Sequence, residues 1–394
     1  MRGGVYLLVL VFYNYLMGNI LQEIFLDNYE EFMMTTHPRQ AVIENVDKMI
    51  ECGNPSFGGA MYGCTKCGTL KFVPFRCHSR FCPTCGTQYS AKRTTAMSFK
   101  LVRTTHRHCV FTIPEELRQF FLDDRNLLNC LFSSVRSVVL EMFHKDNKSE
   151  CFTPGMICVL HTFGRSLQWN PHIHCLVTEG GVGNNTVWRP KKHFNYTYLR
   201  NAFRTALLNE MEMKIGPSFK KTKSYIYKHC ANGFYVYAKP NQCNPKQIAK
   251  YIGRYLGRPV ISTKRIDSYK NGIVTYHYNR HEDDKLMVVK LPVIDFMKLL
   301  AQHIPEKHFK QIRYYGIYAR NREQDQKVFK AIPKEKHRFL LNKTKWRNSI
   351  AATFGYDPIQ CPCCKGTMTI LEIKYAHHSY TLQELYERAW AKAG

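Results

Sequence analysis

The stretch Asn170-Pro171-His172-Ile173-His174-Cys175-Leu176-Val177 decides how this chain is read. Apolar residues after two histidines predict a buried strand. A strand has period two, so His172 and His174 project from one face while Ile173 enters a core on the other. Two imidazoles then converge on one point. Neutral imidazole is a common metal ligand, and two on a rigid strand leave positions open for a third ligand, water or a phosphate oxygen. A pair of hydrogen-bonded histidines on an edge strand is the other reading of the same residues.

Immediately upstream, the segment from Gly155 to Thr162 (GMICVLHT) predicts a second buried strand, and Phe163 to Asn170 turns the chain. The result is an antiparallel hairpin with the histidine motif on its second arm. His161, near the end of the first arm, can face the same side as His172 and His174. It is the candidate third ligand, with Gln168 next; a hydrogen-bonded core histidine is the alternative for His161. Glu179-Gly180-Gly181 predicts a flexible turn at the hairpin's end. Further back, His106 to Pro114 (HRHCVFTIP) alternates like a strand, and its own pair, His106 and His108, is a rival metal platform.

Downstream lies Asn244 to Pro259 (NPKQIAKYIGRYLGRP). Asn244 is an N-cap, Pro245 suits the first helical position, Gly257 suits a left-handed C-cap and Pro259 follows the stop. On this short helix Tyr251 and Tyr255 are four apart and share a face, beside an apolar stripe of Ile248, Ile252 and Leu256. Taken alone, such tyrosines are ordinarily the wet edge of the stripe.

A histidine-hydrophobe-histidine strand followed by a YxxxY helix resembles the HUH endonucleases. The wider sequence is similar to the two-tyrosine rolling-circle transposases of the insertion sequence ninety-one type, from about Gln40 to about Thr369. The resemblance implies an α+β fold with an antiparallel-sheet nuclease domain, and Tyr251 and Tyr255 as catalytic nucleophiles. It further implies single-stranded DNA, at transposon ends and target, as the partner that is cut and rejoined through 5′-phosphotyrosine links. Phosphate chemistry favours a hard catalytic ion, Mg²⁺ or Mn²⁺, held by His172, His174 and a third group such as His161. An HUH replication initiator or relaxase shares this chemistry. A non-catalytic zinc-dependent DNA-binding protein is the alternative of a different class.

Metal spacing is clearest in Cys64-Thr65-Lys66-Cys67 and Cys82-Pro83-Thr84-Cys85, separated by a β-like stretch from Thr69 to Phe75. Cys64, Cys67, Cys82 and Cys85 predict a closed tetrahedral Zn²⁺ site that contributes folding energy and no chemistry. Cys77 and Cys52 leave room for a variant ligand set or a second site, and His78 is a weaker candidate. Cys77 to Cys85 (CHSRFCPTC) resembles the CxxRxCPxC signature of the family's zinc-binding domain, implying a DNA-contacting module; Ser79-Arg80-Phe81 stands where the family more often has Asn-Arg-His. Cys361-Pro362-Cys363-Cys364 is a half-knuckle without a partner pair in sequence, so zinc there would need Cys52, Cys77 or another molecule.

Lys and Arg number 57 against 30 Asp and Glu, a formal +27, which favours a polyanion: nucleic acid first, an anionic membrane surface second. The 16 cysteines, several in CxxC pairs, read as metal ligands in a reducing compartment. The apolar run Val5 to Tyr15 is short, interrupted by Asn14 and lacks a small-residue cleavage site, so no stable membrane partner is expected, and the chain is placed in the cytoplasm at the nucleoid. Met17 is an alternative start. Four regions are expected: residues 1–50, leader and helices; 51–104, zinc-binding; 105–300, nuclease; 301–394, a basic region with a dense charge run from Lys327 to Arg347, a DNA-contacting "RYYG" segment and a closing helix from Ser379 to Ala393. No GxxxxGK[ST] loop is present, so a host helicase is the candidate source of strand separation.

Overall fold

The computed structural model describes residues 19–239, 259–280, 282–319, 334–375, 378–384 and 387. The leader Val5 to Tyr15 and both tyrosines, Tyr251 and Tyr255, lie outside the described residues.

The helical spacing before Ile50 forms α1 (Ile20–Asp27), α2 (Tyr29–Thr36) and α3 (Gln40–Ile50), with Pro38 in the last break. Next come β1 (Gly59–Gly63), β2 (Leu70–Pro74) and α4 (Pro83–Ser98), opened by Pro83 at its first position. β3 (His106–Thr112), α5 (Glu115–Asp123), α6 (Leu128–His144), β4 (Thr153–Phe163), β5 (Trp169–Val182) and the short β6 (Arg189–Pro190) follow. Then come α7 (Tyr196–Ile215), α8 (Lys220–His229) and β7 (Val236–Lys239). Beyond residue 258 are β8 (Ile266–Lys270), β9 (Ile273–Asn279), β10 (Leu286–Pro292), α9 (Val293–Ala301) and β11 (Ile312–Gly316). The last elements are α10 (Lys334–Thr344), α11 (Trp346–Phe354), β12 (Thr369–Tyr375) and β13 (His378–Thr381).

The architecture is α+β, and its central sheet runs β11-β4-β5-β3-β7 with every pairing antiparallel and β6 alongside β5. One face is apolar: Cys109, Phe111, Leu160, Ile173, Cys175 and Val177 are buried against α6 and α7 through residues such as Val135, Val139, Phe203 and Leu207. Each large side chain buried there stabilises the fold by about 1.5–3 kcal/mol. Slipping β5 by one residue would turn its histidines into this core, so burial on one face fixes the histidines on the other. Arg107 is the charged exception. Its guanidinium meets Glu179, Tyr196 Oη and the Lys192 carbonyl, and lies over the Phe194 ring. Glu179, expected in a flexible turn, therefore remains within β5 as a counter-ion.

A second sheet, β10-β9-β8, packs with α9 and the three amino-terminal helices around Phe25, Phe32, Val46, Tyr276, Phe296 and Leu300. Asn271 and Gly272, both with positive φ (51° and 72°), make the tight turn between β8 and β9. A third sheet, β13-β12-β1-β2, joins strands from both ends of the chain. Contacts thus cross the expected boundaries: residues before 50 pack on the β8–β10 sheet, and β11, β12 and β13, beyond 300, complete sheets begun by earlier segments.

Two segment readings change with these contacts. The RYYG segment is the edge strand β11; Tyr314 bonds Met97, Tyr315 packs against the main core, and at Gly316 (φ 60°) a Cβ would strike the Pro154 carbonyl. These contacts give the segment a packing role. The segment from Ser379, expected to be helical, begins in strand β13, because Tyr380 and Ser379 pair with Ile373 and Lys374.

Candidate active site and metal centres

Register brings the histidines together. His161 on β4 is opposite His172 on β5, Val159 is opposite His174, and paired residues share a face. The ligand nitrogens of His161, His172 and His174 all lie within 4.8 Å of one another. The structure thus gathers the expected pair with the expected third residue, while Gln168 is exposed in the β4–β5 connection.

Hydrogen bonds fix which nitrogens are offered. His172 Nδ1 donates to the Asn170 carbonyl at 2.7 Å, leaving its Nε2 as a lone pair. That Nε2 stands 3.0 Å from His174 Nε2. Two adjacent ligands at ~2.1 Å from an octahedral ion are about 3.0 Å apart, so the spacing suits such an ion. Burial holds His172 and His174 below the usual histidine range; positive charge at Arg118 adds to this for His172, and neighbouring imidazoles add to it for His174. The rings are therefore neutral near pH 7, the state in which imidazole binds metal. Asn170, two residues before His172, has a buried Oδ1 with no hydrogen-bond partner, an acceptor that a water would satisfy. The residues present fit a hard divalent cation.

The rival pair separates into two roles. His106 bonds Tyr318 Oη and the Thr104 carbonyl and does not join the cluster. His108 Nε2 is 2.9 Å from His174 Nδ1, with the rings stacked. Ligation through His174 Nε2 requires the proton on Nδ1, and His108 accepts it there. Outer partners of this kind ordinarily set ligand orientation and basicity. His108→Ala is expected to weaken Mn²⁺ binding about 10- to 100-fold in a calorimetric titration, and His106→Ala to leave it unchanged. Sequence reading treated His108 as a competitor; only the β3–β5 pairing reveals it as a support.

The cysteines group differently from the expected set. Cys64 and Cys67 do not meet Cys82 and Cys85. β2 carries the chain away from the first knuckle by roughly 16 Å, at about 3.3 Å per residue, and the second knuckle emerges at its far end. Cys82 and Cys85 join Cys77 and Cys52, the former the expected alternative ligand. Their sulfurs approach to 3.7 Å for Cys52–Cys85 and 3.6 Å for Cys77–Cys85. A zinc tetrahedron with Zn–S of 2.3 Å has edges of about 3.8 Å, whereas a disulfide needs roughly 2.05 Å. Cys82 stands at the N-cap position of α4 and Cys85 in its first turn, where the positive end of the helix dipole favours negative charge. This donor set fits a structural Zn²⁺. Cys64 and Cys67 instead meet Cys361 and Cys364.

Fold and site together define a strongly basic α+β protein with cysteine clusters suited to zinc and a separate cluster of three histidines. Residues 155–325 match the family model described as "Putative transposase", and residues 24–113 match the "Transposase zinc-binding domain". The "Transposase for insertion sequence element IS801" of Pseudomonas savastanoi pv. phaseolicola is 30% identical over 348 residues, covering 84% of this chain and 83% of the relative. "Putative transposase y4qJ" of Sinorhizobium fredii (strain NBRC 101917 / NGR234) is 26% identical over 352 residues, 82% of this chain and 87% of the relative. No solved structure matches. The chain belongs to the IS91/IS801 family of insertion-sequence transposases, enzymes that act on DNA. Among the described residues, no helix is long and apolar enough to cross a membrane.

Proposed function

We propose that this transposase is an HUH single-strand endonuclease that cleaves and rejoins DNA at transposon ends by tyrosine attack, in rolling-circle transposition. The supporting observation is the cluster of three imidazoles on one sheet face, close to the strand that leads into the tyrosine segment. β7 pairs with β3 so that Lys239 lies opposite His108, and Tyr251 follows 12 residues later.

In this reading the phenol oxygen of Tyr251 or Tyr255 attacks the scissile phosphorus. A P–Oη bond forms, the P–O3′ bond breaks, and the 3′ oxygen leaves with a proton as a 3′-OH. The phosphate stays on the tyrosine as a 5′ ester, so its bond energy is retained for rejoining by a 3′-OH. A phenol of pKa about 10 is a weak nucleophile at neutral pH. A bound Mg²⁺ or Mn²⁺ would polarise the phosphate and orient it for in-line attack. His161, His172 and His174 supply neutral lone pairs on a rigid sheet, and His108 holds His174 in orientation. Tyr237, exposed on β7 and paired with Val110, shares the histidine face and offers a ring for an unpaired base. With two tyrosines, one cuts the donor strand and the other the incoming site. Strand separation falls to a host helicase, and the DNA partner places the protein at the nucleoid.

The test is nicking of labelled oligonucleotides bearing a transposon end. Single strands are expected to be cut in Mn²⁺ or Mg²⁺, duplexes not, and EDTA should stop the reaction. Equal cutting of duplex, or cutting in EDTA, would overturn the proposal.

A further inference from the structure

The cysteine cluster made by the two ends of the chain lies away from the histidines and has no part in the chemistry above. We propose that Cys64, Cys67, Cys361 and Cys364 hold a second zinc ion, which fastens the carboxy-terminal region to the amino-terminal hairpin as a zinc ribbon split across the sequence.

Three observations carry this. The four sulfurs lie within 4.8 Å of one another, with Cys64–Cys364 at 3.4 Å and Cys67 at 3.5 Å from both Cys361 and Cys364. These spacings are near the edges of a zinc–thiolate tetrahedron and far beyond a disulfide bond. Strand register puts the knuckles face to face: β1 ends at Gly63 and β12 begins at Thr369, and these two residues are paired. At Gly366 a Cβ would lie 3.4 Å from Cys364 Sγ and 3.3 Å from Lys66, so a larger residue would crowd the turn over the sulfurs.

The apolar alternative is small. The cluster's buried residues are Cys64, Cys361 and Met368, with Tyr62 packed beside them. Burial here is small, and segments 300 residues apart are joined at this point by the β1–β12 pairing and the four thiols. Cys363 is exposed and outside the cluster, which separates it from its two neighbours in CPCC.

Metal content and thiol protection of the full-length protein test this apart from any nuclease activity. Two zinc ions per chain are expected, one of them lost in Cys361→Ser/Cys364→Ser, in Cys64→Ser/Cys67→Ser and in the quadruple variant alike, because all four residues serve one ion. Cys363→Ser should retain two. In the unmodified protein, iodoacetamide should label Cys363 quickly and spare Cys67 and Cys364, although these are also exposed, until a chelator is added. Expected with that chelator is release of the carboxy-terminal region to limited proteolysis. One zinc per chain in the unmodified protein, equal labelling of Cys363, Cys364 and Cys67 before chelation, or a Cys64–Cys364 disulfide by peptide mapping would overturn the proposal.

Discussion

Replacing His172 with alanine is expected to reduce metal-dependent nicking of a single-stranded transposon end about 10³-fold. His172 is the proposed ligand whose protonation is fixed most completely, with Nδ1 committed to the Asn170 carbonyl and Nε2 turned toward His174. A Lewis acid on a phosphoryl oxygen contributes several kcal/mol to the transition state, and about 4 kcal/mol corresponds to three decades in rate. The apolar core lies on the opposite face of β5, beneath Ile173 and Cys175, so the variant should fold. Initial rates at saturating Mn²⁺, taken beside a thermal melt, make the comparison. A folded His172→Ala protein that keeps more than a tenth of the rate would remove the histidine cluster from the chemistry.

The second large effect concerns the tyrosines. Tyr251→Phe combined with Tyr255→Phe is expected to abolish covalent protein–DNA adducts, because phenylalanine retains the ring and its packing but lacks the nucleophilic oxygen. Each single variant should still form one adduct and fail to exchange two strands. SDS-resistant mobility shifts on labelled single-stranded ends report both outcomes. Adducts formed by the double variant would assign the nucleophile elsewhere.

What the sequence made legible was local. Period two placed His172 and His174 on one face, and a short hairpin allowed His161 to be found by counting along its two arms; the pairing of His161 with His172 follows from the same hairpin. The strand containing His106 was readable for the same reason, and the α+β class came with the resemblance to the HUH endonucleases. What escaped was set by contacts distant in sequence. His108 reaches His174 because β3 pairs with β5, 66 residues away. The cysteine sets are a sharper case: a CxxC spacing says that two thiols can share an ion, but the direction of β2 and the pairing of β1 with β12 decide which other two join them. The RYYG segment stands out in sequence for its aromatics, yet its glycine is required by the Pro154 carbonyl and its tyrosines by packing.

In the proposed reaction, imidazoles on one sheet face and phenols from the segment after β7 act on the same phosphorus. The most direct measurement is mass spectrometry of the covalent adduct trapped on a single-stranded end in Mn²⁺, with the modified peptide and its attached nucleotide both sequenced. The expected result is a 5′-phosphate ester on Tyr251 or Tyr255, absent without metal and absent in His172→Ala. An ester on another side chain, such as Tyr237 on the exposed face of β7, or an adduct that forms equally well in EDTA, would contradict the account.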